Sequence, residues 1–241
     1  MPNVTVPSPT ADIPCYLAEP AGTGDVPGVV LVHDVFGMTE DLRRQADWLA
    51  AEGFLAAAPD LFAGRGKAAC VWQAMRDMRA RRGPTFDSVE AVRRWVAAQA
   101  RCTGRIGVAG FCMGGGFALL MAAGHGFAVS NVNYGQVPRD AERQLSGACP
   151  VVAGYGARDR TLRSAAARLE RALAANGVPH DVKEYPRAGH GFMNRHDKPV
   201  LRVLGPLAGM GYDAASEADA RRRIVDFFAC HLRSGPTVPG S

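Results

Sequence analysis

The stretch Gly110-Phe111-Cys112-Met113-Gly114-Gly115 is where residue types and spacing in this chain point most directly to chemistry. It joins a short apolar run, Arg105 to Gly110, to a glycine-rich apolar segment, Gly114 to Ala123, and so predicts a strand, a sharp turn and a buried helix. A turn that tight holds its central residue in a strained conformation, and small residues two places to either side let the flanking backbones pass. The Cys112 thiol then projects at a helix N-terminus, where the dipole favours a thiolate. The N–H of Met113, next in the chain, can face an oxyanion. The spacing matches neither a G-x-G-x-x-G dinucleotide loop nor a phosphate loop ending in G-K-[ST], which sets phosphate cradling aside. The other cysteines, Cys15, Cys70, Cys102, Cys149 and Cys230, lack this setting and read as structural thiols.

A thiol nucleophile needs a base, and the base needs a third group to fix its tautomer. Taken in the order nucleophile, acid, histidine, the first acid after Cys112 in a suitable context is Asp159, in Tyr155-Gly156-Ala157-Arg158-Asp159, just past a predicted strand. Its alternative reading is a surface ion pair with Arg158 or Arg160. The histidine is His190, in Ala188-Gly189-His190-Gly191-Phe192, on a glycine-rich loop past the next strand. His125, His180, His196 and His231 read instead as surface or capping residues. Past an earlier strand, His33-Asp34-Val35-Phe36-Gly37 offers the N–H of Val35 as a second oxyanion donor. No H-x-x-x-H or recurring carboxylate spacing is present, so no metal site is expected.

These residues need a scaffold that brings strand ends together. Gly28 to His33 is a β-branched apolar run suited to a strand buried on both faces. A helix is expected from an N-cap at Thr39 to Glu52, closed by Gly53, with Phe54 to Ala58 as the next strand. Asp87 to Ala100 repeats the helical pattern. Further strands are expected over Val129 to Asn133, Val151 to Tyr155 and Asp181 to Tyr185, and helices over Leu162 to Asn176 and Glu217 to Leu232. The alternation predicts an α/β class with an open, mostly parallel sheet covered by helices on both faces, its site at the carboxyl ends of the strands. The segment from His196 to Ser216 fits no element and reads either as a loop beside His190 or as ordinary surface.

The composition suits this picture. Of 241 residues, 47% are hydrophobic and 21% charged, enough to bury one sizeable core, so one domain is expected, with a core from about 12 to 233 and a disordered tail from Ser234 to Ser241. The net charge of +5 is spread among acids, and only Arg76 to Arg82 is locally basic, which reads as a solvated helix face rather than a nucleic-acid surface. Six cysteines without a C-x-x-C pair argue against a zinc site or a disulfide framework and for a reducing compartment. With no leader pattern and no bilayer-length apolar run, the expectation is a cytoplasmic protein without a membrane partner. The Asn3-Val4-Thr5 sequon then carries no weight.

Together, Gly-Phe-Cys-Met-Gly-Gly, Asp159, Gly-His-Gly-Phe and Ala58-Pro59-Asp60-Leu61-Phe62 resemble the dienelactone hydrolase family of the α/β-hydrolase superfamily, over about Cys15 to Leu232. The resemblance implies a Cys112-His190-Asp159 triad that hydrolyses enol lactones such as 4-carboxymethylenebut-2-en-4-olide without a cofactor. It also implies an acid at Asp34 that holds the resting thiol, where the best-known members carry glutamate. Those members bind the substrate carboxylate through two arginines, at positions where this chain has Gly64 and Asn194. Arg65 and Arg195 each lie one residue later, and a shifted loop would restore the contacts through their guanidinium forks. Phe36 and Tyr134 are further pocket candidates, against the plainer reading of aromatic residues as core.

Three other readings stand beside a lactone hydrolase. A broader carboxylesterase or thioesterase would use the same triad. A non-catalytic binding protein would retain only the fold, and a redox sensor would use a low-pKa Cys112. The expected partner is a small ester or lactone, and the chain is expected to act as a monomer or homodimer.

Overall fold

The computed structural model describes residues 3–8, 11–63, 66–195 and 209–233. The tail expected to be disordered, Arg65, and most of the segment between 196 and 216 lie outside them.

Among the described residues, eight strands form one sheet. They are β1 (Val4–Val6), β2 (Ile13–Ala18), β3 (Val26–Val32), β4 (Leu55–Pro59), β5 (Cys102–Phe111), β6 (Val129–Asn133), β7 (Val151–Gly156) and β8 (His180–Tyr185), in the spatial order β1-β2-β4-β3-β5-β6-β7-β8. From β4 to β8 every neighbouring pair is parallel, while β1 and β2 run antiparallel at one side. The helices among the described residues are α1 (Glu40–Ala51), α2 (Lys67–Ala80), α3 (Pro84–Ala97), α4 (Met113–Leu120), α5 (Ala141–Gln144), α6 (Ala165–Ala175) and α7 (Ala214–Arg233).

The apolar runs explain the layering. In β3, alternate side chains serve opposite faces: Val30 and Val32 pack with α2, α3 and α4, whereas Val29 and Leu31 pack with α1 and α7. A strand covered on both sides need not alternate with polar positions, which is why β3, β7 and the buried half of β5 from Ile106 to Phe111 read as unbroken apolar stretches. The helix α1 starts where expected, the Thr39 hydroxyl accepting from the N–H of Leu42 at 3.3 Å.

Some boundaries differ from expectation. Helix α3 starts at Pro84, three residues before Asp87, because proline fits the first turn, where its missing N–H costs nothing. Helix α6 starts at Ala165 rather than Leu162 because Ser164 takes a left-handed conformation, φ 59°. The basic run from Arg76 forms the exposed face and the end of α2, Arg81 closing the helix at φ 59°. Among the described residues no helix is long and apolar enough to cross a membrane.

The two sheet edges are short and polar respectively. β1 has three residues, and β8 reads His-Asp-Val-Lys-Glu-Tyr with Lys183 and Glu184 exposed.

Candidate active site

The turn between β5 and α4 has the strained geometry its glycines predict. Cys112 sits at φ 55°, ψ −114°, a region that side-chain-bearing residues rarely enter. Its N–H donates to the Asn133 carbonyl at 3.0 Å, tying the turn to the end of β6. The glycines are required by contact. A Cβ on Gly110 would lie 2.0 Å from the Gly114 carbonyl oxygen, and one on Gly114 would lie 2.0 Å from that of Val32. The backbone of the turn therefore rests directly on the end of β3.

Three strand ends converge on Cys112. After β7, Asp159 is buried, and its Oδ1 accepts from the Thr161 N–H at 2.8 Å and the Thr161 hydroxyl at 2.6 Å. Its Oδ2 lies 2.6 Å from Nδ1 of His190, on the loop after β8. The surface ion-pair reading of Asp159 does not apply, since the carboxylate is spent inside. Burial works to raise the Asp159 carboxyl, but the hydrogen bonds from His190 and Thr161 outweigh it and hold the group below its ordinary value. Burial likewise works against the imidazolium, yet hydrogen bonds to Asp159 and to Cys112 push His190 up to about 10. The carboxylate selects the Nδ1–H tautomer and leaves Nε2 for the thiol.

After β3, the loop from His33 to Gly37 approaches from the other side. His33 is fully buried and bridges two loops: its Nδ1 donates to the Asp34 carbonyl at 2.7 Å and its Nε2 accepts from the Leu61 N–H at 3.2 Å. Both ring nitrogens are used within the neutral ring, and burial depresses its pKa. Phe62 sets its ring edge-on against His33 at 4.5 Å. The Ala58–Phe62 segment thus braces this loop. One Asp34 oxygen accepts from the Phe36 N–H at 2.8 Å, so the carboxylate caps the loop while sharing the cavity with Cys112. The N–H of Val35 engages no acceptor among the described residues, and that of Met113, the first residue of α4, has no intrahelical partner.

A cavity of about 610 Å³ opens over Cys112 and His190, lined by Asp34, Val35, Phe36, Arg195 and Tyr212 among others. Phe36 is therefore at the wall, as expected. Arg195 is also there, but its guanidinium is engaged, 3.0 Å from Glu217 and 2.6 Å from the Tyr212 hydroxyl, and it lies over the Tyr212 ring. Tyr134 is a correction: it is 1% exposed and lies behind His190, its ring edge-on to the imidazole at 5.3 Å, not at the cavity wall. Sequence reasoning missed Arg158 and Arg187, which line the cavity beside the loops of Asp159 and His190. Their signal was position alone, one residue before Asp159 and three before His190. Met210 and Tyr212 were also missed; the stretch carrying them runs beside the histidine loop, with His190 N–H donating to Gly209 and Gly211 N–H to His190.

The order of strands, the strained turn after β5 and the loops that meet it define an α/β-hydrolase fold. The model of the Dienelactone hydrolase family matches residues 13–232; the chain belongs to that family and is a carboxylic ester hydrolase. Among similar proteins, a carboxymethylenebutenolidase of Rhodococcus opacus is 29% identical over 240 residues, covering 95% of this chain and 90% of the other. One of Pseudomonas putida is 29% identical over 222 residues, covering 84% and 85%. Among solved structures, a dienelactone hydrolase-like promiscuous phosphotriesterase from metagenomic libraries superposes with a TM-score of 0.75 at 20% identity, covering 95% and 97%. A dienelactone hydrolase from Anabaena variabilis gives 0.66 at 19%, covering 95% and 97%.

Proposed function

We propose that the chain hydrolyses enol-lactone and related activated esters through a thioacyl-enzyme formed on Cys112. The observation that carries this reading is the 2.6 Å contact between His190 and Asp159, with Cys112 held at φ 55° within reach of the imidazole. The Cys112 sulfur attacks the acyl carbon, and the carbonyl oxygen becomes an oxyanion received by the N–H groups of Val35 and Met113. Collapse breaks the carbon–oxygen bond, and His190 delivers its proton to the departing enolate. In a lactone the leaving oxygen stays attached to the same molecule. Water then attacks the thioester, His190 takes its proton, and the acid departs as the thiolate is restored.

A thiolate leaves tetrahedral intermediates readily, so the mechanism favours good leaving groups such as enols and disfavours amides. Asp34, which shares the cavity, holds the thiol between turnovers in this reading. A broader esterase or thioesterase is the second reading, favoured by the pairing of Arg195 with Glu217 and Tyr212, which draws its charge away from an incoming carboxylate.

Steady-state hydrolysis of a panel from p-nitrophenyl acetate to dienelactones, by wild type and Cys112→Ala, tests both. Loss of all turnover in the variant, with an acyl mass trapped on Cys112 of the wild type, supports the thiol mechanism. Equal rates in both proteins would refute it. A preference for the dienelactones over p-nitrophenyl acetate separates the first reading from the second.

A further inference from the structure

Behind His190 lies a chain of buried polar groups that the proposed chemistry does not use. The Tyr134 hydroxyl donates to Asn194 Oδ1 at 2.5 Å, and Asn194 Nδ2 donates to Asp41 Oδ2 at 2.7 Å. Asp41, in the first turn of α1, accepts with its other oxygen from the Arg195 N–H at 2.8 Å and, more distantly, from the Arg44 guanidinium at 3.4 Å. All three side chains are buried, at 1%, 7% and 4% exposure. Burying a carboxylate, an amide and a phenol together is costly unless each is satisfied, and here each is paired with the next. The chain has one direction of donation. It starts at a ring set against the imidazole and ends on a charge at a helix N-terminus.

Tyr134 is held in place against its local backbone preference. Tyr134 takes φ 41°, unfavourable for a bulky side chain, and its N–H donates to the Gly154 carbonyl at 2.8 Å at the end of β7. Its ring fills the space between Phe192 and His190, with centroids at 5.3 Å from each. Asn194 lies four residues after His190, and its own N–H donates to the Gly191 carbonyl at 2.9 Å. The loop carrying the histidine is therefore fastened at one end by the Asp159 contact and at the other by Asn194.

We propose that Tyr134, Asn194 and Asp41 are positioning residues that clamp the His190 loop to α1 and hold the imidazole in line between Asp159 and Cys112. The inference rests on His190 acting as the base of the proposed mechanism. Loosening the clamp lengthens the hydrogen bonds to Asp159 and Cys112 that favour the imidazolium, so the histidine becomes easier to deprotonate.

The test is the titration of His190 followed by NMR on histidine-labelled protein without substrate, the resonance identified by its loss in His190→Gln. Asn194→Ala removes both links and is expected to lower the His190 midpoint by about one unit, roughly a tenfold change in the ionisation constant. Tyr134→Phe keeps the ring and removes only the hydroxyl, and is expected to lower it by less. The other charged or titratable groups facing the imidazole are Asp159, Cys112, Asp34 and Asp213, with the guanidiniums of Arg158, Arg187 and Arg195. Neither substitution alters them. Leu169→Ala in α6, buried away from this loop, is expected to lower Tm while leaving the midpoint in place. A midpoint unmoved in folded Asn194→Ala, or in Tyr134→Phe should the first not fold, overturns the proposal. Because no substrate is used, this result stands apart from the hydrolysis panel. Where hydrolysis is measurable, the clamp variants are expected to lose about tenfold in kcat with KM nearly unchanged.

Discussion

Replacing Gly114 by alanine is expected to disable the enzyme through backbone geometry rather than through any lost functional group. The added Cβ would stand 2.0 Å from the Val32 carbonyl oxygen, 2.6 Å from its carbon and 2.7 Å from the His33 oxygen. All three are backbone atoms, so no rotamer change relieves the clash, and α4 must retreat from β3 by more than an ångström. That separation divides the proposed oxyanion site, because Val35 follows β3 while Met113 opens α4. Overpacking costs about 1–3 kcal/mol where side chains can adjust, and contact with backbone puts this case at the upper end. At roughly 2–4 °C per kcal/mol for a chain of this size, Tm falls by about 6–12 °C. A misplacement of about 1 Å at the reacting centre costs on the order of a hundredfold in rate.

The comparison is Gly116→Ala, two residues along the same helix. Its Cβ would meet the end of the Met78 side chain at 3.0 Å and 3.1 Å, which can swing away. Alanine also gains about 1 kcal/mol over glycine inside a helix. Its Tm and kcat/KM are expected to stay near wild type. Thermal melts and kcat/KM on p-nitrophenyl acetate decide the matter. Indistinguishable behaviour of the two variants would refute the claim that the turn is built on contact with β3.

Asp159→Asn keeps the shape of the triad but presents an amide that can hold the wrong imidazole tautomer, so kcat is expected to drop by about 10³–10⁴-fold with Tm within a few degrees; a drop of less than tenfold would show that the carboxylate is not orienting His190. The raised pKa of His190 makes a stability prediction. Its folded value of about 10 exceeds the unfolded value near 6.5, so the stabilisation is fully present below about pH 6.5 and lost as pH climbs through about 10. Urea unfolding of wild type and His190→Gln should therefore diverge most on the acid side of that window and converge above it, and a constant gap from pH 6 to pH 10.5 would contradict the assignment.

The central strands were legible because burial on both faces favours short β-branched apolar runs such as β3 and β7; β6 was read with both ends as observed although it buries Ser130, Asn131 and Asn133. Helix α2 was not. Only Cys70, Ala74 and Asp77 are buried along it, and a stripe that thin carries no helical period. Asp77 anchors that helix to the start of α3 by accepting from the Thr85 N–H and hydroxyl, at 3.0 and 2.7 Å, a tertiary bond that sequence spacing does not encode. Strand β2 escaped notice for a related reason, since Pro14 and a mixed pattern suit an antiparallel strand near the edge rather than a buried parallel one. At the site, glycines flanking Cys112 and His190 made those two residues conspicuous. Tyr134 has no such flag on its N-terminal side, and its place behind the imidazole follows from a positive φ that a bulky residue does not advertise. Arg158 and Arg187 were hidden because charged residues in loops read by default as solvated.

The two sides of the sheet also bear on how this chain can meet another copy of itself. A sheet grows across a subunit boundary only where an outer strand offers a long, flat, unpaired backbone ladder. The three residues of β1 are too few, and β8 carries exposed charged side chains, Lys183 and Glu184, of the kind that discourage edge pairing. Among the described residues, growth of the sheet from copy to copy is therefore disfavoured at both edges.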